Sequence, residues 1–202
     1  TVNNATNSFV NDCITTSCPP DPYAAQQTWW LSNKGDKVRI DFQTGSPVLN
    51  NPANSFLGQG VIDGQEGNTT VTHPVTGELL FVTDGSSVYR GSDGAKATGF
   101  AGGSTTSAEA AAVIPDPQGV LGRDFIIFGN SATSSFGSIT RAKYNLETNT
   151  IHSTVTYLAG STTEALEVIP HTNGTDYWVL VTTADQKTKS FLYSNGIKTE
   201  TG

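Results

Sequence analysis

Three glutamates carry the most suggestive spacing in this chain. Glu66, Glu109 and Glu164 each precede a short apolar run, a proline, a turn with glycine and an aromatic run. The steps between them are 43 and 55 residues. Two carboxyl groups about 5–10 Å apart can act as acid and base, or acid and nucleophile, on a glycosidic bond. The same glutamates, placed where repeated units meet, can instead accept backbone N–H groups and hold the units together. Both readings need the three positions to be equivalent in space.

Other candidates are fewer. Asp63, Glu66 and Asn68 offer oxygens suited to Ca²⁺, although the order of ligands in a calcium loop is absent. Trp29, Trp30 and Trp178, with Tyr177, are aromatics in strand-like segments. They serve packing between sheets or a platform on which sugars stack. Cys13 and Cys18 enclose Ile14-Thr15-Thr16-Ser17, and no further ligands at zinc-site spacing accompany them. A small disulfide loop is expected, with two free thiols as the alternative. His73, His152 and His171 are far apart in sequence. His73 and His171 each adjoin the proline of a repeat, so equivalent turns could carry them to one rim. No G-x-S-x-G, Walker loop or H-E-x-x-H is present, and Gly58-Gln59-Gly60 lacks the third glycine of a dinucleotide fingerprint.

Composition sets what must position these residues. The chain has 202 residues, with 29 Thr and 21 Gly. Thr favours strands, whereas Gly favours turns. A mainly helical protein is excluded. Only 14% of residues are charged, against about 25% in ordinary domains. Lys plus Arg is 11 and Asp plus Glu is 18, for a net charge of −7. That balance argues against nucleic acid, which needs a basic face. No apolar run is long enough for a membrane-spanning helix, so membrane insertion is not expected. Low charge, abundant Thr and paired Cys fit a secreted or cell-surface setting. The absence of Met suggests a removed leader or a piece of a longer chain.

Strand signals dominate after Pro22. Lys37–Gln43 alternates, with Val38, Ile40 and Phe42 on one face. Asp84-Gly85 predicts a tight turn between Glu78–Thr83 and Ser87–Arg90. Asp124–Phe128, Ser138–Leu146, Thr150–Leu158, Glu164–Ile169, Tyr177–Thr182, Lys189–Tyr193 and Ile197–Thr199 are further strands. Ser107–Ala112 has helical composition, but it is short and runs into Val-Ile-Pro, so strand is expected there too. Residues 1–25 read as an extended arm carrying the Cys13–Cys18 loop. Residues 26–202 read as repeats of about 40–55 residues, the mark of a β-propeller blade that needs neighbours to cover its faces. Four blades, or part of a larger ring, are expected, with a β-sandwich as the other all-β solution.

Several segments also resemble a known family. They are Thr28-Trp29-Trp30, Arg39–Phe42 with Thr44–Val48, Gln65-Glu66-Gly67, Gly77–Gly85, Ser107–Pro115 and Thr172–Val179. Together they resemble the propeller-like region at the N-terminal end of large secreted surface proteins of Bacteroidota, the kind associated with type IX secretion and gliding. The resemblance covers roughly residues 28 to 195. It departs at Gly91–Gly103, where the family carries a turn rich in Trp and Asn. It implies an extracellular, propeller-like, non-catalytic module used in surface binding or assembly, and no cofactor is expected other than the Ca²⁺ of the oxygens above. The partners it implies are other protein chains, the remainder of a larger surface protein, or surface glycans. The competing expectation is an enzyme acting on polysaccharide through Glu66, Glu109 or Glu164.

Overall fold

The computed structural model describes residues 28–33, 36–41, 46–50, 67–73, 78–133 and 135–200. Asp63, Glu66, the Cys13–Cys18 loop and the arm expected over 1–25 lie outside the described residues, as do the side chains of Trp29 and Trp30. Among the described residues the fold is all-β, with no helix. Strands β1 (Thr28–Asn33), β2 (Asp36–Asp41) and β3 (Val48–Asn50) form one antiparallel sheet. A second holds β4 (Thr69–Thr72), β5 (Leu79–Thr83) and β6 (Val88–Arg90). The third is a seven-stranded meander of β7 (Ala111–Pro115), β8 (Asp124–Asn130), β9 (Gly137–Asn145), β10 (Thr150–Pro170), β11 (Tyr177–Thr183), β12 (Thr188–Ser194) and β13 (Ile197–Glu200).

Strand β10 is 21 residues long and belongs to two units. Its first half pairs with β9 and its second half with β11, and Thr162 is paired with both Gly137 and Thr183. The sequence reading expects two strands here, separated by 159–163. Instead the chain keeps pairing through the gap. The β-branched Thr162 and Thr163 sustain extended backbone, while Gly160, at φ 63°, lets the strand bend without leaving the sheet. The meander therefore resolves into β7–β8–β9 with the first half of β10, then the second half of β10 with β11–β12–β13.

The units repeat in detail. The hairpin after each first strand is closed by the same backbone bond: His73 to the Glu78 carbonyl at 2.7 Å, Asp116 to Asp124 at 2.9 Å, and His171 to Asp176 at 2.8 Å. Glu66, Glu109 and Glu164 each stand seven residues before these closing residues. The prolines do not keep that register. Pro115 and Pro170 precede their closing residues, whereas Pro74 follows His73. Residues 107–110 form turns, and strand begins only at Ala111.

The units cover one another face to face. Along β8, Phe125 and Ile127 point one way, with Ala142, Tyr144 and Ile151, into a core shared with Phe81, Val88, Ala97 and Ala101. Ile126 and Phe128 point the other way, with Ala112, Ile114, Ile139 and Tyr157, against Leu166, Val179, Val181, Phe191 and Tyr193. A sheet buried on both sides has no polar alternation to keep, which is why Phe125–Phe128 is an unbroken apolar run. Edge-to-face ring pairs lock both cores: Phe81 with Phe125 at 5.0 Å and with Tyr144 at 4.8 Å, and Phe128 with Tyr157 at 5.1 Å. Each such pair contributes about 0.5–1.5 kcal/mol beyond its buried area. The first strands neighbour one another in chain order, β1 beside β4, β4 beside β7 and β7 beside β10.

Candidate functional site

The first strands meet without pairing as a ladder, and their exposed N–H groups need acceptors. Glu109, just ahead of β7, and Glu164, within β10, supply them. Glu164 Oε2 accepts the Ala108 N–H at 2.8 Å. Glu109 Oε2 accepts the Leu166 N–H in a very short hydrogen bond. Each side chain thus crosses to the segment that carries the other. Of the three sequence-predicted glutamates, the structure brings these two to one junction, and both are committed to backbone donors. Hydrogen bonds to a carboxylate are about twice as strong as neutral ones.

Beside them opens a polar cleft of about 280 Å³ to which three units contribute: Asn68 and Thr69 from the start of β4, Glu109 beside β7, and Leu166 and Glu167 from β10. Thr69 Oγ1 donates to the Ala111 carbonyl at 2.5 Å, tying β4 to β7. The approach is close: a Cβ on Gly67 would stand 2.3 Å from the Ala108 carbonyl oxygen. Glu167 is exposed, and its Oε1 accepts only its neighbour Val168 N–H, at 2.9 Å, among the bonds seen here. Below the rim, fully buried Asn130 donates to the Thr163 and Glu164 carbonyls at 3.1 and 2.9 Å and accepts the Ala132 N–H at 2.9 Å. It pins the bend of β10 to β8. The sequence reading does not single out Asn130 or Glu167. An amide two residues past the apolar run Phe125–Phe128 is the signal for Asn130.

The other candidates are elsewhere. Trp178 is half-buried on the outer face of the last unit, paired with Ile169 and Leu192, with its ring 5.5 Å from that of His171. It stands at the turn end of β10, away from the glutamates. His73 and His171 close equivalent hairpins at that same end, where the intervening unit has Asp116, whose Oδ2 takes Lys143 Nζ at 2.8 Å. Between β4 and β7 this end carries an apolar groove of about 180 Å³, lined by Val71, Leu80, Val113, Pro115, Leu121 and Phe125. For Ca²⁺, only Asn68 of the expected oxygens is described. Among the described residues, no three His, Cys, Asp or Glu side chains are grouped to hold a metal.

The cleft's carboxylates and amide can accept and donate hydrogen bonds to a hydroxyl-rich or cationic group. One oxygen each of Glu109 and Glu164 is taken by a backbone N–H. No family model matches this chain, and no curated protein matches it.

Proposed function

We propose that the chain is a non-catalytic binding or assembly module of a secreted, cell-surface protein, built from propeller-like units around a common axis. The observation that carries this reading is the exchange of Glu109 and Glu164 between first strands. It employs as fasteners the two residues best suited to hydrolysis. Three features support the radial arrangement. The first strands follow one another in chain order. The β4–β6 sheet lays a face on β7–β9, and these on the last unit. The layer between the last two units is filled by Ala112, Leu166 and Val181 near the first strands and by Phe191, Tyr193 and Tyr157 on the third and fourth. Sheets that splay outward from an axis need such a gradient from small to large.

The low-charge acidic composition, the abundant Thr and the resemblance to Bacteroidota surface proteins support the secreted setting. Surface glycans or neighbouring protein chains are the proposed partners, and the cleft of Asn68, Thr69 and Glu167 is the proposed contact. Glycan arrays and whole-cell binding with the purified protein test this. Glu167→Gln should weaken binding about tenfold or more, as expected for lost polar contacts to a ligand, with melting unchanged. Absence of any ligand together with a strictly monomeric protein would count against the proposal. So would polysaccharide cleavage that vanishes in a folded Glu109→Gln variant.

A further inference from the structure

The outer face of the last unit has the apolar pattern of a covered face, yet it is open. The hairpin-closing bonds Asp116 to Asp124 and His171 to Asp176 set the last two units in register. Ile169, Trp178 and Leu180 then stand where the preceding unit has Ile114, Ile126 and Phe128. The cross-strand pairs agree, Ile114 with Ile126 and Ile169 with Trp178. In the preceding unit the three residues are buried against the last unit, at 2%, 0% and 0% exposure. Their counterparts point away from that core. Ile169 is 44% exposed, and Trp178 and Leu180 are half-buried. The apolar row continues through Leu192, the partner of Trp178, and Ile197 on β13 adds to the same side at 66% exposure.

The differences between the two faces indicate the occupant. Near the first strands, buried Ala112 has exposed Glu167 as its counterpart. A further unit, seated there as the last unit sits on its predecessor, would bury that carboxylate at high cost. Glu164 adds no forward fastener: it turns back to Ala108, whereas its counterpart Glu109 reaches forward to Leu166. On the third strand the change runs the other way. Lys143 and Arg141, the partners of Ile126 and Phe128, have Leu192 and Ser190 as counterparts. Apolar surface is thus shifted outward from the first strands. From Leu166 to Glu200, Glu167 is the one charged strand residue on this side. Two copies of a chain of net charge −7 repel over most of their surfaces, but a patch without charge can lie on itself. An isologous contact about a two-fold axis is the commonest way for identical chains to associate. It would set Trp178 at an uncharged centre, as interface cores favour, and leave Glu167 at the rim.

We propose that the outer face of the last unit, centred on Trp178 and Leu192, binds a second copy of this chain about a two-fold axis. This names the partner of the assembly reading above and rests on that reading, while the polar cleft stays free for its own ligand. Sedimentation equilibrium of the full chain, from low to high micromolar concentration, should give twice the mass of one chain. Leu192→Lys puts there the residue type of its counterpart Lys143, and Ile197→Lys alters a side chain that is already exposed. Far-UV circular dichroism should show both variants folded. Each should raise the dimer dissociation constant about tenfold or more, because the axis sets the two new like charges close together in a desolvated contact. Leu121→Lys, at a 78% exposed position in the groove between β4 and β7, should leave dimerisation unchanged. A monomer at every concentration, open-ended association, or a dimer that both Leu192→Lys and Ile197→Lys leave intact would overturn the proposal. Glycan binding by a strict monomer would overturn it while sparing the cleft, and a dimer that binds no glycan would support it without the cleft.

Discussion

Glu109 and Glu164 hold each other's strands: the carboxylate of Glu109 takes the N–H of Leu166, and that of Glu164 takes the N–H of Ala108. The two bonds span one junction, so loss of either loosens the geometry of the other. Glu109→Ala and Glu164→Ala should each lower stability by about 1.5–3 kcal/mol, the usual range for hydrogen bonds to charged groups. The double variant should cost less than the sum. Urea denaturation of the four-member cycle checks this, and strict additivity would show that the bonds act separately.

Ile126 and Ile127 are adjacent in β8, yet both have 0% exposure because they enter different cores. Replacing either by Ala should cost about 2–5 kcal/mol. The last unit is expected to differ. There Val179 is fully buried, while its neighbour Leu180 is only half-buried, so Leu180→Ala should cost clearly less than Val179→Ala. Denaturation midpoints at constant slope measure all four. An isoleucine in β8 costing under about 1 kcal/mol would mean that one face of that sheet is not covered.

Gly85 combines a φ of 81° with a position where a Cβ would stand 2.3 Å from the Ala110 carbonyl oxygen. Gly160 also has a positive φ, 63°, but nothing lies within 4 Å. Gly160→Ala should therefore cost only the left-handed penalty of about 1–2 kcal/mol. Gly85→Ala must also push apart backbone in the 101–110 segment and should cost about 4 kcal/mol or more. Thermal melting of the two variants side by side separates strain from overlap.

Acid should destabilise the fold in a defined window. Arg90, at 3.0 and 2.5 Å, and the Ala95 N–H lower the Asp93 carboxyl from 3.8 to about 2. Arg123, the Val120 N–H and Asn145 lower that of Asp124. Depressed carboxyls favour the native state above the unfolded value, and that contribution is lost as pH falls through the folded one. Melting temperature should thus hold above pH 4 and fall toward pH 2, with a shallower acid limb in Asp93→Asn. Equal acid limbs in the two proteins would remove Asp93 from the account.

At the alkaline end, burial raises the phenols of Tyr144 and Tyr157 above their ordinary 10.0. The unfolded chain loses these protons first, so stability should decline as pH rises beyond about 10. Tyr144→Phe should flatten that decline in pH-dependent unfolding. It should also cost about 1 kcal/mol at neutral pH, for the lost hydrogen bond to Asn149 Oδ1 at 2.9 Å.

Much of the architecture was legible in the residues. Alternation in Lys37–Gln43, the aromatic run Tyr177–Thr182 and the turn at Asp84-Gly85 mark strands and hairpins whose causes are local. The segment Asp124–Phe128 is likewise legible as a strand, while the burial of both its faces is not. The steps of 43 and 55 residues between the glutamates match the hairpin-closing bonds. The prolines follow the same spacing only approximately, because a proline is tolerated on either side of the closing residue.

What the chain determined by itself is therefore a succession of antiparallel strands and turns with three glutamates at repeated spacing, since strand period and turn chemistry act over a few neighbouring residues. Only the tertiary structure decided what those glutamates do. Their partners lie 56 and 57 residues away, and no local pattern records which N–H a carboxylate meets. The same holds for the unbroken path of β10, and for the two cores, which form only when separately patterned sheets are laid face to face.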